Sequence, residues 1–158
     1  MHATPDRAVT ASHSDHPTDW PGEQTVLNHR PQALAQLFES DWIGEQPDYT
    51  LLLKPTQIPW LLAVPKQPLT PQRMGLIVSD LYLLAQTLKQ EQWGTHENIA
   101  KIANQLPWSH LHLVMRSPQD ACWPDPIWGQ TLNPVSADVH QARIETLTRK
   151  VLPSWVGV

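Results

Sequence analysis

The spacing of hydrophobic positions changes from segment to segment along this chain, and each spacing predicts one type of element. The segment "PQALAQLFES" begins at Pro31 and repeats apolar side chains at helical spacing, at Leu34, Leu37 and Phe38, which predicts a short helix. The next two runs, "DYTLLLK" and "PWLLAVPK", are short, apolar and bounded by proline. Such runs are more typical of strands than of helices, so we expect an antiparallel strand pair here.

The clearest helical pattern is "TPQRMGLIVSDLYLLAQTLKQEQWG". Thr70 is placed to cap its start, Pro71 suits the first helical position, and Gly94 is expected to end it. Its apolar residues recur at intervals of three and four, which predicts a long amphipathic helix packed on a sheet. They are Met74, Ile77, Val78, Leu81, Leu84, Ala85 and Leu88.

The second half of the chain predicts a further strand pair and a final helix. "HLHLVMR" alternates with a period of two, and "ENIAKIANQ", which alternates weakly, is interpreted as a strand from its position before it. "SADVHQARIETLTRKVL" has Ser136 as a cap and Asp138 in the first turn, which predicts a C-terminal helix. This order of elements predicts an α+β domain, an antiparallel sheet with helices on one face.

The length of 158 residues suits a single domain. Residues 1–30 contain few large apolar side chains, so we expect a disordered N-terminal extension followed by one domain over residues 31–158. His2, His13 and His16 in that extension could form a weak metal-binding tract. No ligand spacing repeats among them, so solvated tail residues are the preferred interpretation.

Charge and composition narrow the classes of partner. The formal net charge is −4 with only 11 Lys and Arg residues, which argues against nucleic acid or an anionic membrane as partner but leaves a small nucleotide open. The single cysteine, Cys122, excludes an internal disulfide. No apolar run is long enough to span a membrane and no secretory signal is visible, so a cytoplasmic protein is expected. Neither glycine-rich phosphate-loop motif is present, which disfavours kinase-like and Rossmann folds.

His110 and His112 are the main candidates for chemistry, because alternation places both on one face of a strand. Imidazole can attack phosphorus, transfer protons or bind a metal, although for an isolated pair a structural role is the more common one. Arg116 shares their parity along the strand. Neutral donors precede them, and such donors with an arginine suit the developing charge of a phosphoryl or nucleotidyl centre. The candidate donors are Asn98, Asn104 and Gln105.

Three segments together resemble a known family. "PWSHLHLVMRS", preceded by "IPWLLAVPK" and followed by "CWPDPIWG", is similar to the histidine-triad (HIT) superfamily. More narrowly, it resembles small bacterial HIT-domain proteins that carry a WPxPxWG segment. The resemblance extends from Pro31 to Trp155, and the three motifs in this order are far more specific than a pair of histidines.

This resemblance implies a HIT-like α+β fold, often a homodimer, and chemistry at the α-phosphate of a purine nucleotide or nucleotide conjugate. The middle histidine of the triad attacks phosphorus in that family, and water or another acceptor then releases the nucleotide. Matched by position, His110 is the nucleophile and His112 the last triad residue. Asn98 and Asn104 fall where the family has polar residues that contact phosphate or ribose. No cofactor is implied.

The chain also departs from the family pattern. The first triad position holds Trp108, which cannot accept a hydrogen bond, although it stays among the candidate substrate-binding residues. Lys54 and Pro55 stand where a ribose-binding carboxylate is expected, and Ala100 and Ala103 replace small glycines. Two hypotheses follow, a nucleotide phosphohydrolase or nucleotidyl transferase, and a HIT-fold nucleotide-binding or protein-interaction module with weakened or lost catalysis.

The remaining aromatic residues have two interpretations each. The tryptophans of the "CWPDPIWG" loop, Trp123 and Trp128, could form a wall against a base, but a proline-stiffened arm packed over the sheet is preferred. Trp60 is assigned to the core. His110 and His112 as two metal ligands lack a third ligand at a recognisable spacing, so we expect no metal.

Overall fold

The computed structural model describes residues 31–102 and 109–154. These residues form a five-stranded antiparallel sheet with three α-helices, which confirms the predicted α+β class. In chain order the elements are α1 (Pro31–Leu37), β1 (Asp41–Glu45), β2 (Tyr49–Lys54), β3 (Trp60–Pro65), α2 (Pro71–Gln90), β4 (His96–Lys101), β5 (Leu111–Arg116), α3 (Ala137–Lys150) and a 3-10 turn (Leu152–Ser154). No helix within these ranges combines the length and the apolar character needed to cross a membrane.

The strand order β1-β2-β3-β5-β4 places the histidine strand β5 inside the sheet. It pairs with β3, where Leu62 lies opposite His112, and with β4, where Ala100 lies opposite the same histidine. Both predicted strand pairs, β2 with β3 and β4 with β5, are therefore confirmed. The pairing of β3 with β5 joins the two halves of the domain and brings residues near Trp60 to the histidines.

The main core lies between the sheet and the two longer helices. Alternate residues of β5, namely Leu111, Leu113 and Met115, are at most 1% exposed and pack in this cluster. The buried stripe of α2 covers them at the predicted helical spacing, with Ile77, Leu81, Leu84, Ala85 and Leu88. Because apolar burial is the dominant favourable term in folding, this face fixes which side of β5 is turned away from the core.

The prediction that all helices lie on one face is wrong for α1. Leu34 and Phe38 are buried against Leu52, Leu62 and Val64, which point to the opposite side of the sheet from the main core. The strands β2 and β3 are apolar on both faces, and each face needs a cover. The short helix covers the second face and so lies beside the histidines.

One further strand and one helix boundary also differ from the sequence predictions. The strand β1 was not predicted, since "DWIGE" is short and its pairing with β2 shifts register between Trp42 and Gly44. The long helix ends at Gln90, before Gly94, because Gln92 adopts the left-handed conformation with φ of 63°. Backbone bonds from Gln92 to Lys89 and from Trp93 to Leu88 then close the helix end. Gly94 serves another purpose: a Cβ there would lie 2.6 Å from the Arg116 carbonyl oxygen.

Candidate functional site

A cavity of about 600 Å³ lies on the second face of the sheet, at the start of β5. It is bounded by the end of α1, by β2 and β3, and by the tryptophan loop that follows β5. Both predicted histidines line it, so the sequence prediction that they share one face is confirmed. The polar and aromatic residues of the wall are Phe38, Glu39, Lys54, Trp60, His110, His112, Trp128 and Gln130.

His112 is 4% exposed and is hydrogen-bonded at both ring nitrogens. Its Nδ1 lies 3.0 Å from Trp60 Nε1, and its Nε2 lies 3.0 Å from the carbonyl oxygen of Ile102. Burial, which disfavours the charged ring, lowers the pKa of His112 to about 4, and the nearby His110 and Lys54 act in the same direction. The bond to Ile102 opposes this only in part, so His112 is neutral at pH 7.

His110 precedes the first residue of β5 and is 6% exposed. Its ring meets Phe38 edge-on at a centroid distance of 4.9 Å and meets His112 edge-on at 4.7 Å. Phe38 comes from the end of α1, which is why the position of that helix matters for the site. The contacts fix the His110 ring from two sides while it still borders the cavity.

Lys54 ends β2 and places its ammonium group in the same cavity wall. Its Nζ donates to the carbonyl oxygen of Phe38 at 2.7 Å and lies 5.2 Å from the ring centre of Trp60. Burial lowers the pKa of Lys54, and the carboxylate of Glu39 counteracts this. Lys54 thus brings a basic group, and Glu39 a carboxylate, into the cavity wall.

Trp60 and Trp128 both line the cavity. Trp60 also packs against two core clusters, so its assignment to the core is confirmed and a place in the cavity wall is added. The indole N–H of Trp60 contacts His112 directly. The Trp128 ring meets His112 edge-on at 5.4 Å, and its buried Nε1 has no hydrogen-bond partner among the described residues. The loop also packs on the sheet through Ile127 and Val114, so the preferred packing interpretation is combined with a wall of the cavity.

Arg116 and Asn98 lie elsewhere. Although Arg116 shares the parity of His112, its guanidinium is 2% exposed and makes four hydrogen bonds at the far end of β5. Two of these reach the carboxylate of Asp120, one the side chain of Asn98 and one the carbonyl oxygen of Asp125. Neither Arg116 nor Asn98 lines the cavity. They are therefore not placed to donate to a phosphate beside the histidines, as the sequence analysis expected.

Several predicted residues lie outside the described ranges. These are Asn104, Gln105, Trp108 and Ala103, so their proposed roles stay predictions. Within residues 31–102 and 109–154, no group of three or more His, Cys, Asp or Glu side chains is arranged to hold a metal ion.

Sequence reasoning missed Lys54 and Trp60 as site residues. In the sequence, Lys54 is only a departure from the family pattern, and Trp60 opens an apolar strand, where an aromatic residue is usually core. In the sheet, Lys54 lies opposite Trp60, and Trp60 lies opposite Val114 of the histidine strand. This register brings Lys54 and Trp60 close to the histidines. Predicting these two residues would have required the pairing of "PWLLAVPK" with "HLHLVMR". Periodicity does not say which strands are neighbours.

Solved structures with the same fold define the class. A histidine triad protein from Bradyrhizobium japonicum has a TM-score of 0.66 and 29% identity, and the match covers 74% of this chain and 95% of that one. No protein-family model and no curated protein matches the sequence. The five-stranded sheet and the histidine strand thus place the chain among proteins with the histidine triad fold.

Two further structures agree in fold. A histidine triad protein from Sinorhizobium meliloti has a TM-score of 0.65 at 23% identity, covering 75% of this chain and 94% of that one. One from Marinobacter aquaeolei has a TM-score of 0.64 at 22% identity, covering 72% and 89%. The resemblance of this chain to small bacterial HIT-domain proteins is therefore confirmed.

Proposed function

We propose that the cavity binds a purine nucleotide or nucleotide conjugate and that His110 acts as a nucleophile toward its α-phosphorus. The observation that carries the proposal is the juxtaposition of His110 with the ammonium group of Lys54 in one wall of the cavity. In the proposed reaction, a ring nitrogen of His110 bonds to phosphorus while the bond to the leaving group breaks. Attack by water or another acceptor then breaks the nitrogen–phosphorus bond and returns its electron pair to the ring.

Several features of the wall support binding of such a ligand. A phosphate beside His110 is attracted by Lys54, and the buried N–H of Trp128 needs an acceptor that no described residue supplies. The indole and phenyl rings of Trp60, Trp128 and Phe38 offer apolar surface to a nucleoside. The cavity volume of about 600 Å³ falls in the range of small-molecule sites.

The second candidate function is a nucleotide-binding or protein-interaction module with weakened catalysis. One observation favours it: both nitrogens of His112 are engaged within the protein, at Trp60 and at Ile102. The last triad residue therefore has no free nitrogen to offer a transferred phosphate in this arrangement. Turnover, rather than binding, separates the two candidates.

The test replaces His110 by asparagine, which keeps a polar side chain of similar size and removes the nucleophile. We expect the hydrolysis rate of diadenosine polyphosphate or adenosine phosphoramidate to fall on the order of 10³-fold or more. Calorimetric titration with AMP should show that binding persists. His96, which lies outside the cavity wall, provides the matched control: the same change there should leave the rate unaltered.

The outcomes separate the candidates. Equal hydrolysis by the parent and by His110→Asn contradicts a nucleophilic His110. If the parent binds AMP but hydrolyses neither compound, the binding module is the correct function. If it does not bind AMP either, the site serves a protein partner.

The expected homodimer and cytoplasmic location also stay predictions. Apolar side chains on the outer face of α2 are compatible with a second copy, since Leu76 is 51% and Leu83 is 62% exposed. Sedimentation equilibrium of the full chain measures the oligomeric state. A monomer at micromolar concentration contradicts the homodimer.

A further inference from the structure

The two hydrogen bonds of His112 determine its tautomer. An indole nitrogen can only donate, so His112 Nδ1 must accept the bond from Trp60 at 3.0 Å. A carbonyl oxygen can only accept, so His112 Nε2 must carry the hydrogen that faces Ile102 at 3.0 Å. The ring is thereby held as the Nε2–H form, and the alternative tautomer would lose both bonds.

The same arrangement opposes protonation of His112. A proton on Nδ1 would displace the indole N–H and leave that buried donor facing another donor. Among the described residues, the ionisable groups around the ring are His110, two positions before it on the chain, Lys54 from β2, and Glu39 after α1, which faces Lys54. The 127–130 segment of the tryptophan loop adds none. Of the described residues that carry a formal charge, Lys54 acts directly on His112, and its positive charge opposes protonation of the ring.

We infer that Trp60 is a positioning residue that holds His112 as the neutral Nε2–H tautomer, so that a group leaving phosphorus in this cavity departs without a proton from His112. The consequence for the leaving group rests on the proposed function. The consequence for the tautomer does not, because it follows from the two hydrogen bonds alone.

This arrangement selects among leaving groups. When a ring nitrogen of His110 bonds to phosphorus, the electron pair of the breaking bond stays on the departing atom. A phosphoanhydride oxygen departs as a stable phosphate anion, which Lys54 can attract. A phosphoramidate nitrogen departs readily only if it takes up a proton. Without a proton from His112, the site therefore favours nucleotides joined through a phosphoanhydride over those joined through a nitrogen–phosphorus bond.

Nuclear magnetic resonance of protein labelled with ¹⁵N at histidine tests the tautomer, since protonated and unprotonated ring nitrogens differ widely in chemical shift. His112 is assigned as the signal that disappears in His112→Gln. In the unaltered protein we expect a protonated Nε2 and an unprotonated Nδ1 down to a pH near 4. An Nδ1–H signal, or a mixture of tautomers, in the unaltered protein would overturn the inference whether or not any variant folds.

Trp60→Phe keeps an aromatic ring and removes only the N–H donor. We expect the pKa of His112 to move from about 4 toward the ordinary 6.5. The tautomer with its hydrogen on Nδ1 should also become populated. Trp128→Phe is the matched control for this measurement, because the Trp128 N–H has no partner among the described residues and its loss should leave the tautomer of His112 unchanged. Equal spectra in both variants would contradict a positioning role of Trp60.

Kinetics test the leaving group. The unaltered protein should hydrolyse diadenosine tetraphosphate with a kcat/KM on the order of 10²-fold above that for adenosine phosphoramidate, the usual size of one acid's contribution. In Trp60→Phe this ratio should fall by about tenfold or more. A preference for the phosphoramidate in the unaltered protein contradicts the leaving-group inference. If neither compound is hydrolysed while the tautomer behaves as expected, the proposed hydrolase function fails and the role of Trp60 stands.

Discussion

The two ends of one face of β5 carry buried polar side chains that are stabilised in opposite ways. At one end, His112 is 4% exposed, neutral, and bonded to an indole and a carbonyl. At the other, Arg116 is 2% exposed, charged, and paired with the carboxylate of Asp120. Val114 lies between them under the tryptophan loop. The histidine end borders a cavity, whereas the arginine end is filled by protein groups.

This difference separates a candidate binding site, at the histidine end, from a structural contact, at the arginine end. Arg116 donates hydrogen bonds to Asp120, Asn98 and the backbone of Asp125. The arginine end therefore anchors the loop in which Trp128 lies. Two polar residues on the same face of a strand thus perform different tasks, because neighbours from the rest of the chain surround them differently.

The largest expected effect is at the arginine end. Arg116→Met removes four hydrogen bonds and leaves the Asp120 carboxylate buried without its partner, which should lower the free energy of unfolding by about 3–5 kcal/mol. Urea unfolding at pH 7 measures it. The matched control is Arg149→Met on the exposed surface of α3, which should change stability by less than about 0.5 kcal/mol. Equal losses in the two variants would mean that Arg116 is not an anchor.

The next effect is a pH dependence that distinguishes the two ends. The pKa of His112 is about 4 in the folded chain and near 6.5 when unfolded, so the unfolded chain binds more protons between these values. The contribution of neutral His112 to the free energy of unfolding is therefore fully present above pH 6.5. It is lost as pH falls toward 4, by up to about 3 kcal/mol. His112→Gln should flatten this part of the profile. An unchanged slope in that variant would assign the dependence to other groups.

The arginine end should respond only at lower pH. Burial opposes ionisation of Asp120, but hydrogen bonds from Arg116 and from the backbone of Ser117 and Cys122 hold the pKa of this carboxyl below its usual 3.8. Its contribution is present above pH 3.8 and is lost as pH falls through the lower folded value. Urea unfolding between pH 2.5 and 6.5 in Asp120→Asn should therefore differ in slope from the parent only in the acid part.

The smallest effect tests the close approach at the arginine end. Gly94→Ala would place a Cβ 2.6 Å from the Arg116 carbonyl oxygen and should cost about 1–3 kcal/mol. The matched control, Gly75→Ala in α2, meets no atom within 4 Å and should stabilise the helix by about 0.5–1 kcal/mol. Thermal unfolding compares the two variants, and equal melting temperatures would contradict the steric role of Gly94.

The sequence by itself determined the local elements. Apolar spacing and capping residues located α1, the long helix from Thr70 and the final helix from Ser136. Alternation placed His110, His112 and Arg116 on one side of β5, because the side-chain period of a strand is two whatever surrounds it. The motif order also indicated the resemblance that the fold confirms.

Only the tertiary structure decided which of these side chains form a site. Trp60 and His112 are 52 residues apart, and their bond depends on the pairing of β3 with β5. Arg116 shares a face with His112 but lies about 13 Å along the strand at roughly 3.3 Å per residue, beyond the cavity. Periodicity specifies the direction of a side chain, whereas its partners depend on which distant strands and loops pack beside it.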